Sequence, residues 1–173
     1  YHDEAMAFLQ KKIKEKKIKN VQVVVKDITE LHTLKGLGKF DVITSVDVIE
    51  HIDLDKVHAI IIAMKNLLKD DGKVYIITPN YKSLWTQIEW LLDRISIVPH
   101  FGGHQHVAKY DTQNIADLFR KQQFKVHTMK SFNIFSYLIP TKQASGFFAK
   151  LEALPNISFG NLLLAGFSLK KKK

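Results

Sequence analysis

The chain has 173 residues, with 26 Lys+Arg against 17 Asp+Glu for a formal charge of +9, 46% hydrophobic residues and no cysteine. That length and apolar content suit one domain with a core of its own, and the lack of cysteine excludes disulfide frameworks, thiolate metal sites and a cysteine nucleophile. No apolar run approaches the roughly 18–20 residues of a membrane helix, and Tyr1-His2-Asp3-Glu4 does not open a secretory signal, so a soluble, cytoplasmic domain is expected.

The positive charge is local. Residues 11–19 hold six lysines and the C-terminus ends in Lys170 to Lys173; without those ten, 16 basic residues face 17 acidic ones. Only Arg94 and Arg120 are arginines, although arginine is the better residue for bidentate recognition of phosphate and bases. The lysine-rich face and tail therefore read as solvated surface. Peripheral contact with an anionic membrane is a second use for them, and nucleic acid is disfavoured.

In chain order, residues 3–17 predict an amphipathic helix with Ala5, Leu9 and Ile13 on one side and lysines opposite. Val21 to Val25 is a β-branched run that reads as a buried strand. After Gly36 and Gly38, Phe40 to Val46 is a second strand. Asp53 caps a helix with apolar positions 54, 57, 61, 64 and 68, which Asp71-Gly72 stops, and Lys73 to Thr78 is a third strand. Residues 81–95 predict a mostly apolar helix, and 98–110 a loop containing His100, His104 and His106. A helix from Asp111 or Thr112 to about residue 121, a strand over 124–129 and a last strand over 161–169 complete the pattern. Strands alternating with helices indicate an α/β sheet covered on both faces.

These residues carry a family resemblance. The stretch Phe40-Asp41-Val42-Ile43-Thr44-Ser45-Val46-Asp47-Val48-Ile49-Glu50-His51-Ile52 resembles the mid-domain signature of class I S-adenosylmethionine (SAM) dependent methyltransferases. Leu67 to Ile76 resembles the family's helix-turn-strand signature, with Asp-Asp-Gly where Pro-Gly-Gly is usual. Asn20 to Ile28 is similar to the strand that ends in an acidic residue beside the adenine, and His106-Val107-Ala108-Lys109-Tyr110 with Phe124-Lys125-Val126 matches the C-terminal half of many members. The resemblance spans residues 4–169 and implies one Rossmann-like domain with helices on both faces of its sheet.

One part of the family pattern has no counterpart. The glycine-rich loop after the first strand is missing, and Gly36-Leu37-Gly38 precedes a strand instead of joining a strand to a helix. The acidic residue that holds the ribose falls one position upstream of Tyr1. The sequence is therefore expected to enter the domain after its second strand, as a partial domain spanning 1–173. The resemblance implies a sheet order 3-2-1-4-5-7-6, of which this chain supplies strands 3 to 7. Strand 3 at residues 21–25 then has no neighbour on either edge.

The resemblance also implies a site. Asp27 and Ile28 meet the adenine of SAM, and Ser45, Val46 and Asp47 line the cofactor; a cap is the alternative for Asp27. If Asp47, Glu50 and His51 begin a helical turn, their i, i+3, i+4 spacing places all three on one face, where they can bind a divalent metal such as Mg, with His106 completing the set. This arrangement is similar to that of quinone-biosynthesis O-methyltransferases and small-RNA 2′-O-methyltransferases. Without a metal, His51 or His106 is the candidate general base. Residues 81–110, with Tyr81, Trp85, Trp90 and Phe101, are expected to form a lid over a small or lipid-like substrate, or else an ordinary core helix.

The expected function is thus SAM-dependent O-methylation of a small or lipid-like acceptor. The competing readings are an RNA 2′-O-methyltransferase and a degenerate, non-catalytic binding module of the same fold. A nicotinamide-binding Rossmann domain lacks its phosphate-binding turn here. With strand 3 unpaired, the isolated 173-residue chain is expected not to fold stably in the family topology; a sharp cooperative transition in a circular-dichroism melt would contradict this.

Overall fold

The structure, a computed structural model, describes residues 3–34, 36–83, 106–133 and 160–170, with Arg94, Ala144, Gly146, Phe147 and Lys150 as single positions between them. Trp85, Trp90, His100, Phe101 and His104 lie outside the described residues, as does most of the expected lid.

Helix α1 spans Asp3–Glu15. Lys11 and Lys12 both pair with Glu15, at 3.9 and 3.1 Å, exposed contacts of the kind that contribute little. The helix ends as its backbone dictates. Lys17 takes a left-handed φ of 51°, and the N–H groups of Lys17 and Ile18 reach back to the carbonyls of Lys14 and Ile13 at 3.1 and 3.0 Å. This is the double closure of a Schellman cap, with a lysine where glycine is usual. Of the side predicted to be apolar, Ala5 and Leu9 are exposed, Leu9 at 42%, and only Ile13 is half-buried.

The strand predicted at residues 21–25 is absent. The segment runs without a ladder partner, and Val21, Val24 and Val25 are exposed. β-Branched residues favour extended backbone, but a strand needs a neighbour to receive its N–H and C=O groups. Among the described residues none pairs with it in a ladder. The chain instead enters a 3-10 helix, Ile28–Thr33, whose Ile28 and Leu31 are half-buried against the core.

Strand β1 (Phe40–Val46) is followed by a short 3-10 turn, Ile49–His51, helix α2 (Leu54–Leu67) and strand β2 (Leu68–Pro79). The expected stop at Asp71-Gly72 is not a break between helix and strand. α2 passes directly into β2 at Leu68, which pairs with Phe40, and the register then jumps to Val42 opposite Lys73. Residues 69–72 form the bulge between those pairs. Gly72 is required there, because a Cβ would lie 2.7 Å from Leu68 Cγ. Helix α3 (Thr112–Lys121), strand β3 (Phe124–Phe132) and strand β4 (Leu162–Leu169) follow. Asp111 caps α3 through the N–H groups of Gln113 and Asn114, and the Asn114 side chain returns the bond in a capping box.

The sheet order is β1-β2-β4-β3, with β1 parallel to β2 and β4 antiparallel to both neighbours. This is the expected 4-5-7-6 half of the family sheet. One face carries Val74 and Ile76 of β2 and Leu163, Ala165 and Phe167 of β4, all fully buried in one cluster with Val57, Ile60, Ile61 and Met64 of α2 and Ile115, Leu118 and Phe119 of α3. The opposite face, with Tyr75, Ile77 and Leu164, is half-buried. Phe119 stacks on Phe167 with ring centroids 3.8 Å apart and planes within 5°, and meets Phe124 edge-on at 5.5 Å. At the outer edge of β1, Val42 and Val46 are 51% and 52% exposed.

Because Phe119 joins α3 to both β3 and β4, Phe119→Ala should destabilise the protein by about 3–5 kcal/mol, as expected for an aromatic ring deleted from a tight core. Urea denaturation measures this, and a loss below about 1 kcal/mol would show that the stack is dispensable.

Candidate active site

β1 and β2 run parallel, so Val46 and Pro79 bring their C-terminal ends to the same margin of the sheet. Such margins collect ligand-binding loops in α/β sheets. Ser45 is buried and Val46 exposed. Asp47 then takes a left-handed φ of 50°, a conformation that short polar side chains tolerate, while its N–H donates to the Ile77 carbonyl at 3.0 Å. This bend turns the chain off the strand and into the 3-10 turn. Ile49 plugs into the core, so the neighbouring Glu50 is carried inside with it, at 1% exposure.

Glu50 is tied at three points. Its Oε2 accepts the Thr78 hydroxyl at 3.0 Å. Its backbone carbonyl accepts two N–H groups, from Val107 at 2.8 Å and Ala108 at 3.0 Å. These last bonds clamp the 106–110 segment against the turn, which delivers His106 to His51: the two rings meet edge-on with centroids 4.9 Å apart. Glu50 Oε1 is buried and accepts no hydrogen bond.

Glu50, His51 and His106 consequently form a group in which one ligand atom from each lies within 4.8 Å of the others. Asp47, expected to share a face with Glu50 and His51, is outside it. The correction has a backbone cause: the helical turn starts only at Ile49, so the i, i+3 relation of Asp47 to Glu50 spans a left-handed bend, and His106 supplies the third ligand position. Asp27 caps the other 3-10 helix and Ile28 is its first residue. Asp27 Oδ1 accepts the Thr29 N–H at 2.8 Å and the Thr29 hydroxyl at 2.7 Å, and these bonds hold its carboxyl below the usual range. The cap weighed as an alternative is present in the structure.

Three neighbours of the cluster escape sequence reasoning. Thr78 occupies the inward slot that follows Val74 and Ile76 in the alternation of β2, so a polar residue at a core position was the available signal. Tyr81, expected in a lid, hydrogen-bonds His106 Nδ1. Tyr110 donates its hydroxyl to the Ile49 carbonyl at 3.4 Å. Burial, and secondarily the charge of Glu50, push the Tyr110 phenol up to about 12.

Thr78→Val keeps the shape but strands a buried carboxylate oxygen, and should cost about 1–3 kcal/mol in urea denaturation, with Thr78→Ser recovering most of it. Tyr110 yields a pH prediction. Its folded value lies above the ordinary 10.0, so the native state favours the neutral phenol. Its contribution to stability is complete below about pH 10 and is lost as pH rises toward 12. Thermal melts across that window should fall more steeply for the wild type than for Tyr110→Phe; parallel curves would sink the assignment.

Comparison with known proteins follows the same lines. A family model described as "Methyltransferase domain" matches residues 4–129. A ubiquinone biosynthesis O-methyltransferase from Glaesserella parasuis is 42% identical over 59 residues, 34% of this chain and 24% of that protein, so the chain spans about a quarter of that relative's length. Among solved structures, an S-adenosylmethionine-dependent methyltransferase from Clostridium acetobutylicum superposes with a TM-score of 0.62 at 13% identity, covering 97% of this chain and 72% of the other. Magnesium protoporphyrin IX methyltransferase from Synechocystis, solved with bound S-adenosylhomocysteine, gives 0.57 at 13% identity over 94% and 57%. The sheet order, the site at the ends of β1 and β2 and the match over most of the chain lead to one conclusion: the chain belongs to the methyltransferase domain family.

Proposed function

We propose that this chain is a SAM-dependent methyltransferase domain that methylates an oxygen of a small or lipid-like acceptor. The observation that carries this reading is the buried Glu50 carboxylate, with one oxygen unpartnered, set beside two imidazoles at the ends of the parallel strands. The partial match to a relative named as a quinone-pathway O-methyltransferase supports the choice of oxygen. In this reading Ser45, Val46 and Asp47 line the cofactor. Asp27 meets the adenine with the carboxylate oxygen that its cap leaves over, and Ile28 packs beside it.

The residues fit a divalent cation. An unpartnered buried carboxylate oxygen lacks a counter-charge, and Glu50, His51 and His106 would hold the ion. One carboxylate with two imidazoles suits a first-row ion such as Mn²⁺ better than Mg²⁺, which prefers all-oxygen shells. When bound, the ion lowers the pKa of a coordinated acceptor hydroxyl.

The protein's own contribution is positioning and proton management. Methyl transfer is an in-line displacement: the acceptor oxygen forms a bond to the methyl carbon as the carbon–sulfur bond breaks, and S-adenosylhomocysteine leaves. Placing the two reactants in line supplies most of the effect. Where no ion is held, His51, the exposed member of the cluster, takes the acceptor's proton on its imidazole instead, and the neighbouring Glu50 carboxylate stabilises the resulting imidazolium.

The natural polypeptide carrying this chain should bind SAM saturably in calorimetry and transfer a labelled methyl group to a catechol. His51→Ala should lower kcat by about 10²–10⁴-fold with SAM affinity unchanged. A chelator should abolish turnover, and Mn²⁺ should restore it. Failure to bind SAM would end the enzymatic reading and favour the non-catalytic binding module.

A further inference from the structure

Tyr81 stands in a turn that is fixed from several sides. The Asn80 N–H donates to the Asn161 carbonyl and its side-chain amide to the Gly160 carbonyl, both at 2.8 Å. The Tyr81 N–H donates to the Tyr110 carbonyl at 2.8 Å, and Ser83 N–H closes the turn on the Asn80 carbonyl at 3.0 Å. Lys82 pairs with the α3 cap residue Asp111 at 3.0 Å. Lys109 rests its ammonium 5.4 Å from the Tyr81 ring centroid, within cation–π range. Backbone and ring are both held before any ligand arrives, so the hydroxyl has a defined place, and that place is His106 Nδ1.

An imidazole has two nitrogens with opposite roles in its neutral form. With Nδ1 engaged by Tyr81, Nε2 is the nitrogen of His106 left for the cluster. His106 lies between Tyr81, at 6.0 Å between centroids, and His51, at 4.9 Å. Glu50 Oε1 nearby accepts no hydrogen bond, so neither imidazole directs an N–H at it. Lone pairs that converge without a shared proton are the arrangement a cation completes, and ligating histidines donate their remote N–H to an acceptor that fixes the ring.

We propose that Tyr81 is a positioning residue whose hydroxyl accepts the Nδ1–H of His106 and turns the Nε2 lone pair toward Glu50 and His51. The proposal rests on the reading of that cluster given under the proposed function. It assigns Tyr81 to the site itself and not to a cover over it.

Imidazole nitrogen NMR on ¹⁵N-labelled protein identifies which nitrogen of His106 carries the proton. The wild type should show the Nδ1–H form, and Tyr81→Phe, which keeps the ring, should show a mixture of tautomers with an unchanged thermal melt. Mn²⁺ affinity by calorimetry should fall about 10–100-fold in that variant, and kcat should fall with the KM for SAM unchanged. An Nε2–H form in the wild type, or a Tyr81→Phe protein with wild-type tautomer and Mn²⁺ affinity, would overturn the proposal. A wild type that neither binds Mn²⁺ nor transfers methyl would count against the functional reading instead, and the tautomer spectra alone would then decide the role of Tyr81.

Discussion

The site depends on how Glu50 is buried. A carboxylate at 1% exposure is costly unless its polar atoms find partners, and the partners it finds come from distant parts of the chain. Its backbone carbonyl collects the N–H groups of Val107 and Ala108, and its side chain collects the Thr78 hydroxyl. One residue on a three-residue turn thereby joins the end of β1, the end of β2 and the segment that leads into α3. His51 and His106 are 55 positions apart in the chain and meet because both are adjacent to those anchor points.

The rigidity behind that arrangement comes from the sheet. β4, the last strand in sequence, lies between β2 and β3, so closing the core requires the C-terminal residues to return to the middle of the molecule. Phe167 then supplies the surface on which Phe119 stacks. At the site end the same return places Gly160 and Asn161 against Asn80. Gly160 admits no side chain there, since a Cβ would come within 2.5 Å of the Phe132 backbone nitrogen. Packing at the centre and placement of Tyr81 at the margin are two results of one chain insertion.

Other apolar residues stay exposed. Val42 and Val46 on the outer strand, and Val21, Val24 and Val25 in the segment without a ladder, all expose apolar surface. In Val21 to Val25 the β-branched residues that mark strands when read along the sequence have no ladder partner among the described residues. Propensity sets the local backbone; hydrogen-bonded pairing needs a second chain segment at the right distance.

Local rules read from the sequence alone were enough for the elements whose causes are local. The cap at Asp111, the apolar period of α2 and the last strand, β4, each depend on residues a few positions apart, and each is present in the structure at nearly its expected bounds. The candidate ligands Glu50, His51 and His106 were legible for the same reason, as residue types inside a recognisable signature. Where the cause lies in distant residues, the sequence was silent or misleading. Val21 to Val25 carry the composition of a strand without its neighbour, the bulge at Gly72 arises from Leu68 pairing with Phe40, and Asp47 leaves the cluster because of a single left-handed bend. Thr78, Tyr81 and Tyr110 became part of the site only through folding, since their partners are 25 to 61 positions away and no local period records a hydrogen bond across that distance.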